Sequence, residues 1–169
     1  MKIRKELNRQ LYQQKAYGYE KKPYYFDEAV SAAILGGDVE TLKTLIASGA
    51  IILSTGMRSL SENELKNGKY HFVITATFLA ESGIDAGLSH DEAYMIADIY
   101  SRKADRADAC GDLQILLQNM CLDYTERISE IKKEDTTSFH IRKCINYIYE
   151  DLSADLSVKG LADLTNLNV

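Results

Sequence analysis

The side chains that most often hold metal ions are few and far apart in this sequence of 169 residues. The histidines are His71, His90 and His140, and none has another histidine, a cysteine or a carboxylate at the spacing of a metal-binding motif. His71 borders an apolar run, where a histidine packed into the core is more common than a metal ligand. We therefore predict no metal site and no cofactor.

The three cysteines, Cys110, Cys121 and Cys144, are odd in number, widely spaced and without a Cys-x-x-Cys pair. This pattern favours reduced thiols in a cytoplasmic protein. Cys121 and Cys144 each fall on an apolar stripe, where a free cysteine behaves as a small hydrophobic residue. Packing is therefore preferred over redox sensing for both.

Carboxylates are concentrated on one predicted helix and the segment after it, at Asp91, Glu92, Asp98, Asp105 and Asp108. Acid–base catalysis would need a cleft and shifted pKa values, whereas a row of carboxylates is the usual composition of a solvated helix face. The sequence also contains no nucleophile elbow, phosphate loop or dinucleotide fingerprint. We do not expect an enzyme.

Tyrosine is frequent, with 11 copies, and some of these rings lie on predicted helices. Apolar walls with polar tips are what a small-molecule effector pocket needs. Packing in the core or at an interface explains the same residues equally well. The candidates for an effector pocket or an interface are Tyr94, Asp98, Tyr100 and Tyr124.

The composition favours helices, because 46% of the residues are hydrophobic, 27% are charged and only one is proline. The net charge of −5 argues against DNA binding by this chain, since non-specific affinity depends on neutralising phosphates. Residues 1–22 nevertheless carry +5, and the remainder carries −10. No signal peptide is visible, and the charge-free run Tyr70–Ala80 is too short to cross a bilayer.

The sequence predicts a series of helices that position the candidate residues. Residues 1–22 form a basic arm or a short amphipathic helix with a stripe of Ile3, Leu7 and Leu11. A helix from Pro23 to the Gly36-Gly37 break is followed by a second helix capped by Asp38.

Two capping boxes are predicted further along, Ser61 with Glu64 and Ser89 with Glu92. The run Tyr70–Ala80 between them is compatible with a buried strand, although its length and its surroundings favour a central helix. The second box opens a helix to about Arg106.

The longest predicted helix starts at Gly111 and Asp112 and ends in the polar joint at residues 132–135. Its stripe is Leu113, Leu116, Leu117, Met120, Cys121, Tyr124, Ile128 and Ile131. The predicted fold is all-α, a bundle of about six to eight helices with a truncated helix-turn-helix at the C-terminus.

The last stretch, Ser138 to Val169, contains two further amphipathic patterns. The first is Ile141, Cys144, Ile145, Ile148 and Leu152, at the spacing of one helix face. The second has Ser157 as its N-cap, followed by Val158, Leu161 and Ala162. Two short helices joined by a few residues are typical of a helix-turn-helix.

At these residues the sequence resembles the AraC/XylS-type bacterial transcription regulators. The resemblance is carried by Ile141, Ile145, Tyr147, Ile148, Leu156, Ser157, Leu161 and Ala162. It implies that residues 164–169 form the turn before the recognition helix, whose usual Ser-Tyr-Leu-Ser opening is absent from this sequence. Ile141, Ile145, Ile148, Leu156, Ser157, Leu161 and Ala162 would then be the structural framework of the helix-turn-helix.

The resemblance implies three parts: a basic arm or helix at 1–22, a helical regulatory or oligomerisation domain at 23–135, and the start of the helix-turn-helix domain at 138–169. The first hypothesis is therefore the signal-sensing or dimerising part of a cytoplasmic DNA-binding regulator. We expect a homodimer with a small-molecule effector, no membrane contact, and DNA contact only through downstream helices. The alternative is a helical protein-interaction module without any role at DNA.

Overall fold

The structure is a computed structural model that describes residues 2–17, 26–53, 59–133, 136–150 and 157–166. In these residues the regular secondary structure is entirely helical, which confirms the predicted all-α bundle. The eight helices are α1 Lys2–Tyr17, α2 Glu28–Gly36, α3 Val39–Ala47, α4 Glu64–Asp85, α5 His90–Asp105, α6 Cys110–Lys133, α7 Thr136–Glu150 and α8 Val158–Thr165.

Helix α6 is the centre of the bundle, with α2, α3, α4, α5 and α7 packed around it. Its predicted apolar stripe is confirmed, because seven of the eight positions are buried and Leu116 is partly buried against the core. A helix surrounded on several sides must bury a wide arc, and Met120, Cys121 and Tyr124 together cover that arc. Burial also raises the pKa of the Cys121 thiol, so it remains a neutral packing group.

The run Tyr70–Ala80 is helical and lies within α4, so the preferred interpretation is confirmed. Phe72, Ala76 and Leu79 are buried at helical spacing. The β-branched residues do not produce a strand here, because α4 packs against both α5 and α6 and hydrophobic burial at a 3.6-residue period outweighs their intrinsic preference.

Three predicted N-caps are confirmed. The Asp38 carboxylate accepts a hydrogen bond from the Thr41 amide at 3.0 Å, and Ser157 Oγ accepts one from the Gly160 amide at 3.1 Å. Ser89 Oγ accepts from the Glu92 amide at 3.3 Å and donates to the Glu92 carboxylate at 2.9 Å. These bonds satisfy amides that have no partner inside their own helices.

Other predicted helix starts were wrong by a few residues. Helix α2 begins at Glu28, not at Pro23, and Asp27 caps it by accepting from the Val30 amide at 2.9 Å. The predicted start itself lies outside the described residues. Helix α6 begins at Cys110, one residue before Gly111.

The predicted capping box of Ser61 with Glu64 was wrong, because Ser61 does not cap α4. Asn63 occupies that position and accepts from the Lys66 amide at 2.8 Å, while Ser61 Oγ accepts from the Asn63 amide at 3.2 Å. Serine and asparagine are both good N-caps, and Asn63 caps α4 because its side-chain oxygen reaches a free amide of the first helical turn.

Gly37 joins α2 to α3 in the left-handed region, at φ 70°. A Cβ atom there would lie 2.8 Å from both Cα and N of Ser129 on α6. The absence of a side chain therefore allows the α2–α3 turn to touch the central helix directly.

Helix α7 begins at Thr136, so the predicted start of the last part at Ser138 lies inside this helix. At the other end of the chain, the arm or helix predicted for 1–22 contains α1. Within the residues that the structure describes, no helix is both long and apolar enough to cross a membrane.

Candidate functional site

The four residues proposed for an effector pocket or an interface fall into two groups, one buried between α5 and α6 and one on the outer surface of α5. Tyr124 is fully buried and its hydroxyl donates to the Ala93 carbonyl at 2.6 Å. Tyr100 is 4% exposed and donates to the Asp123 carboxylate at 2.6 Å. Burial raises the pKa of both phenols, and the hydrogen bond to Asp123 raises that of Tyr100 further. These two tyrosines therefore join α5 to α6 as packing residues with bonded hydroxyls.

Tyr94 and Asp98 instead point outward from α5. The Tyr94 hydroxyl donates to the Glu81 carboxylate on α4, and this contact raises the pKa of the phenol. Asp98 pairs with Arg102 at 3.8 Å along the helix surface. Tyr94 lies near enough to Tyr124 for its charge to contribute to the raised pKa of that phenol, but Tyr94 is exposed and Tyr124 is buried.

An ion-pair cluster on α5 and α6 was not anticipated. Arg127 Nε donates to the Glu92 carboxylate at 3.0 Å, and its Nη1 donates to Glu130 at 2.8 Å. Partial burial tends to raise the pKa of Glu92, but hydrogen bonds from Arg127 and Ser89 and the charge of Arg127 outweigh it, so that pKa is lowered. This cluster links two helices and contains no nucleophile.

The described framework residues of the predicted helix-turn-helix lie on α7, on α8 and at the N-cap of α8. The Cys144 thiol of α7 points to the Leu161 carbonyl of α8 at 3.9 Å, and Leu161 and Ala162 are half-buried. Asn166 ends α8 in the left-handed conformation, at φ 56°. The turn predicted to begin at Leu164 therefore starts later, since Leu164 and Thr165 still belong to α8. Leu152 and Leu156 lie outside the described residues.

Helix α7 contacts the rest of the bundle through a polar face. Asn146 is 6% exposed, and its amide donates to the Leu88 carbonyl in the α4–α5 turn at 2.6 Å. Ile141 and Ile145, on another face, remain 54% and 44% exposed. Asn146 follows Ile141 by five residues, which places the two about 140° apart around the helix. Ile141 and Ile145 are therefore turned away from the docked side, whereas Cys144 and Ile148 of the same stripe are half-buried.

Sequence reasoning missed Asn146, and little in the sequence could have identified it. It stands between Ile145 and Tyr147 on a helix with an obvious apolar stripe, and that stripe predicts a different buried face. A polar residue in mid-helix is usually solvent-exposed. Only the position of the Leu88 carbonyl makes burial of this amide favourable.

In the part of the chain that the structure describes, no group of three or more histidine, cysteine, aspartate or glutamate side chains could hold a metal ion. No protein-family model matches the chain, and neither the curated proteins nor the solved structures include a match to it. The helix pair α7–α8 and its contact with the α4–α5 turn are the candidate functional site.

Proposed function

We propose that the chain is the regulatory part of an AraC-type DNA-binding transcription regulator, ending in the first helices of its DNA-binding domain. The observation that carries the proposal is the orientation of α7. Its stripe residues Ile141 and Ile145 stay exposed although the bundle beside them has an apolar core. A helix of a helix-turn-helix domain buries its apolar face against other helices of that domain. The exposed Ile141 and Ile145 are therefore what α7 would show if the helix that covers them belongs to such a domain and not to the bundle.

The polar contact of α7 with the bundle suits a regulated joint. A single neutral hydrogen bond, such as that from Asn146 to the Leu88 carbonyl, contributes on the order of 1 kcal/mol. A contact of this size can be made and broken by a ligand that binds one arrangement better than the other. The bundle would then control how freely the α7–α8 pair moves.

The charge of the chain supports DNA reading by downstream helices rather than by this chain. A net charge of −5 disfavours approach to phosphates, and this chain alone should bind DNA weakly or not at all. Sequence-specific contacts would come from a recognition helix placed in the major groove after α8.

Helix α1 supports the dimeric part of the proposal. Its stripe of Ile3, Leu7 and Leu11 is exposed, with Ile3 at 83%. The helix carries five basic residues and one acidic residue, while the chain as a whole is acidic. An exposed apolar stripe with basic flanks is complementary to the acidic surface of a second copy, so we propose that α1 docks across a homodimer.

The decisive experiment starts from the gene. The reading frame after the codon for Val169 should encode a recognition helix and a second helix-turn-helix, and a stop codon at that point would refute the proposal. The product of the whole reading frame should bind DNA upstream of its own gene in a mobility-shift assay, with affinity that falls steeply as salt rises. The 169-residue chain serves as the matched control and should leave the DNA unshifted.

A protein-interaction module remains the second candidate, because α4 exposes Tyr70, Val73 and Ile74 on its outer face. A cluster of exposed apolar side chains is typical of a partner-binding surface. The same reading frame distinguishes the two functions, since a module without a role at DNA needs no recognition helix.

A further inference from the structure

A cavity of about 260 Å³ lies where the end of α4 meets the α7–α8 pair. We call it the junction cavity, and it is lined by Ile84, Asp85, Lys143, Asn146, Tyr147 and Leu164. Its volume is close to the lower end of the range for small-molecule sites, and such sites favour boundaries between structural units. It therefore fits a small metabolite better than a peptide or a nucleotide.

The lining combines two opposite charges with apolar surface. Asp85 comes from α4 and Lys143 from α7, while Ile84 and Leu164 provide aliphatic walls. Asn146 also faces the cavity, and its bond to the Leu88 carbonyl holds it in place before any ligand arrives. A carboxylate wall and an ammonium wall together select a molecule with both an amino group and an acidic group.

We infer that the junction cavity binds a small zwitterion with an apolar side chain, of the neutral α-amino acid class. Its carboxylate would pair with Lys143, its ammonium group with Asp85, and its side chain would contact Ile84 and Leu164. Binding depends on the cavity alone, whereas its regulatory consequence rests on the proposed function. Such a ligand bridges α4 and α7, and so stabilises the docked arrangement of the α7–α8 pair.

Isothermal titration calorimetry on the 169-residue chain tests the inference without any DNA. The probes are L-leucine, L-phenylalanine, and two leucine analogues that each lack one charged group, 4-methylpentanoate and 3-methylbutan-1-amine. At least one of the two amino acids should bind. Each analogue should bind about tenfold more weakly than leucine, or not at all, because it lacks one of the two charged groups that hydrogen-bond to the cavity. No binding of either amino acid, or equal affinity for an analogue, would overturn the inference.

Two substitutions place the binding in this cavity. Lys143→Gln and Asp85→Asn should each weaken the best amino acid about tenfold. Lys5→Gln on α1 and Asp108→Asn in the α5–α6 connection are matched exposed controls that should leave the affinity unchanged. Circular dichroism of each variant checks that the fold is retained. Unchanged affinity in both cavity variants would refute the site, while the reading-frame test of the proposed function would remain unaffected.

Discussion

At the scale of single residues, Gly37 is the position where one added carbon atom has the largest expected effect. Gly37→Ala would place a side chain at φ 70° and bring its Cβ to 2.8 Å from the Ser129 backbone. Left-handed strain and overpacking together should lower the free energy of unfolding by about 2–4 kcal/mol. Urea denaturation followed by circular dichroism measures the change.

Gly36 is the matched control for this substitution. It lies in α2, and a Cβ there would have nothing within 4 Å. Gly36→Ala should therefore leave the stability unchanged or raise it by up to about 1 kcal/mol, since alanine favours the helix. Equal destabilisation by both variants would contradict the close approach of Gly37 to α6.

Because Glu92 forms an ion pair with Arg127, we expect the free energy of unfolding to depend on pH. The pKa of Glu92 is lowered from its ordinary 4.5, so its stabilising contribution is full above that value and is lost as the pH falls through the lower folded pKa. Both side chains are about one-third exposed, which limits the contribution to about 1 kcal/mol or less.

Glu92→Gln removes this titration and provides the measurement. The difference in unfolding free energy between the parent chain and the variant should be constant from pH 7 to about 5 and should shrink below pH 4.5. Glu126→Gln, at an exposed position of α6, is the control for removing one carboxylate elsewhere on the helix surface. A difference that grows on acidification would have the wrong sign for this pair.

At the scale of helices, α1 is expected to hold two copies together. The double substitution of Leu7→Gln and Leu11→Gln removes most of its exposed stripe, and the chain should then shift from dimer to monomer in light scattering. Lys5→Gln lies off the stripe and should leave the dimer in place at moderate salt. A parent chain that is already monomeric at high concentration would refute this role of α1.

At the scale of the whole molecule, the Asn146 amide joins α7 to the bundle through its hydrogen bond to the Leu88 carbonyl. Asn146→Ala removes its bond to the Leu88 carbonyl and should weaken docking of α7 by about 1–2 kcal/mol. Hydrogen exchange should become faster in α7, while amides in the centre of α6 keep their protection. A uniform loss of protection in both helices would instead indicate that α7 is an integral part of the bundle.

The sequence alone predicted the helices, because helix formation depends on spacing and caps that are local in the chain. Asp38, Ser89 and Ser157 were identified as N-caps from residue type and position, and each bonds an amide three residues ahead. The apolar stripe of α6 was equally clear. The start of α4 does not follow from sequence, since Asn63 and Ser61 have similar capping ability and only their geometry separates them.

The orientation of each helix was decided by tertiary structure. Residue type could not say that Tyr124 would be buried while Tyr94 on α5 faced outward, because exposure depends on which neighbours cover each face. The same reason applies to α7, where Ile141 and Ile145 of the predicted stripe stay exposed and Asn146 is buried against a carbonyl 58 residues away. The sequence determined which helices form, and packing between distant residues decided which of their faces meet and where the junction cavity lies.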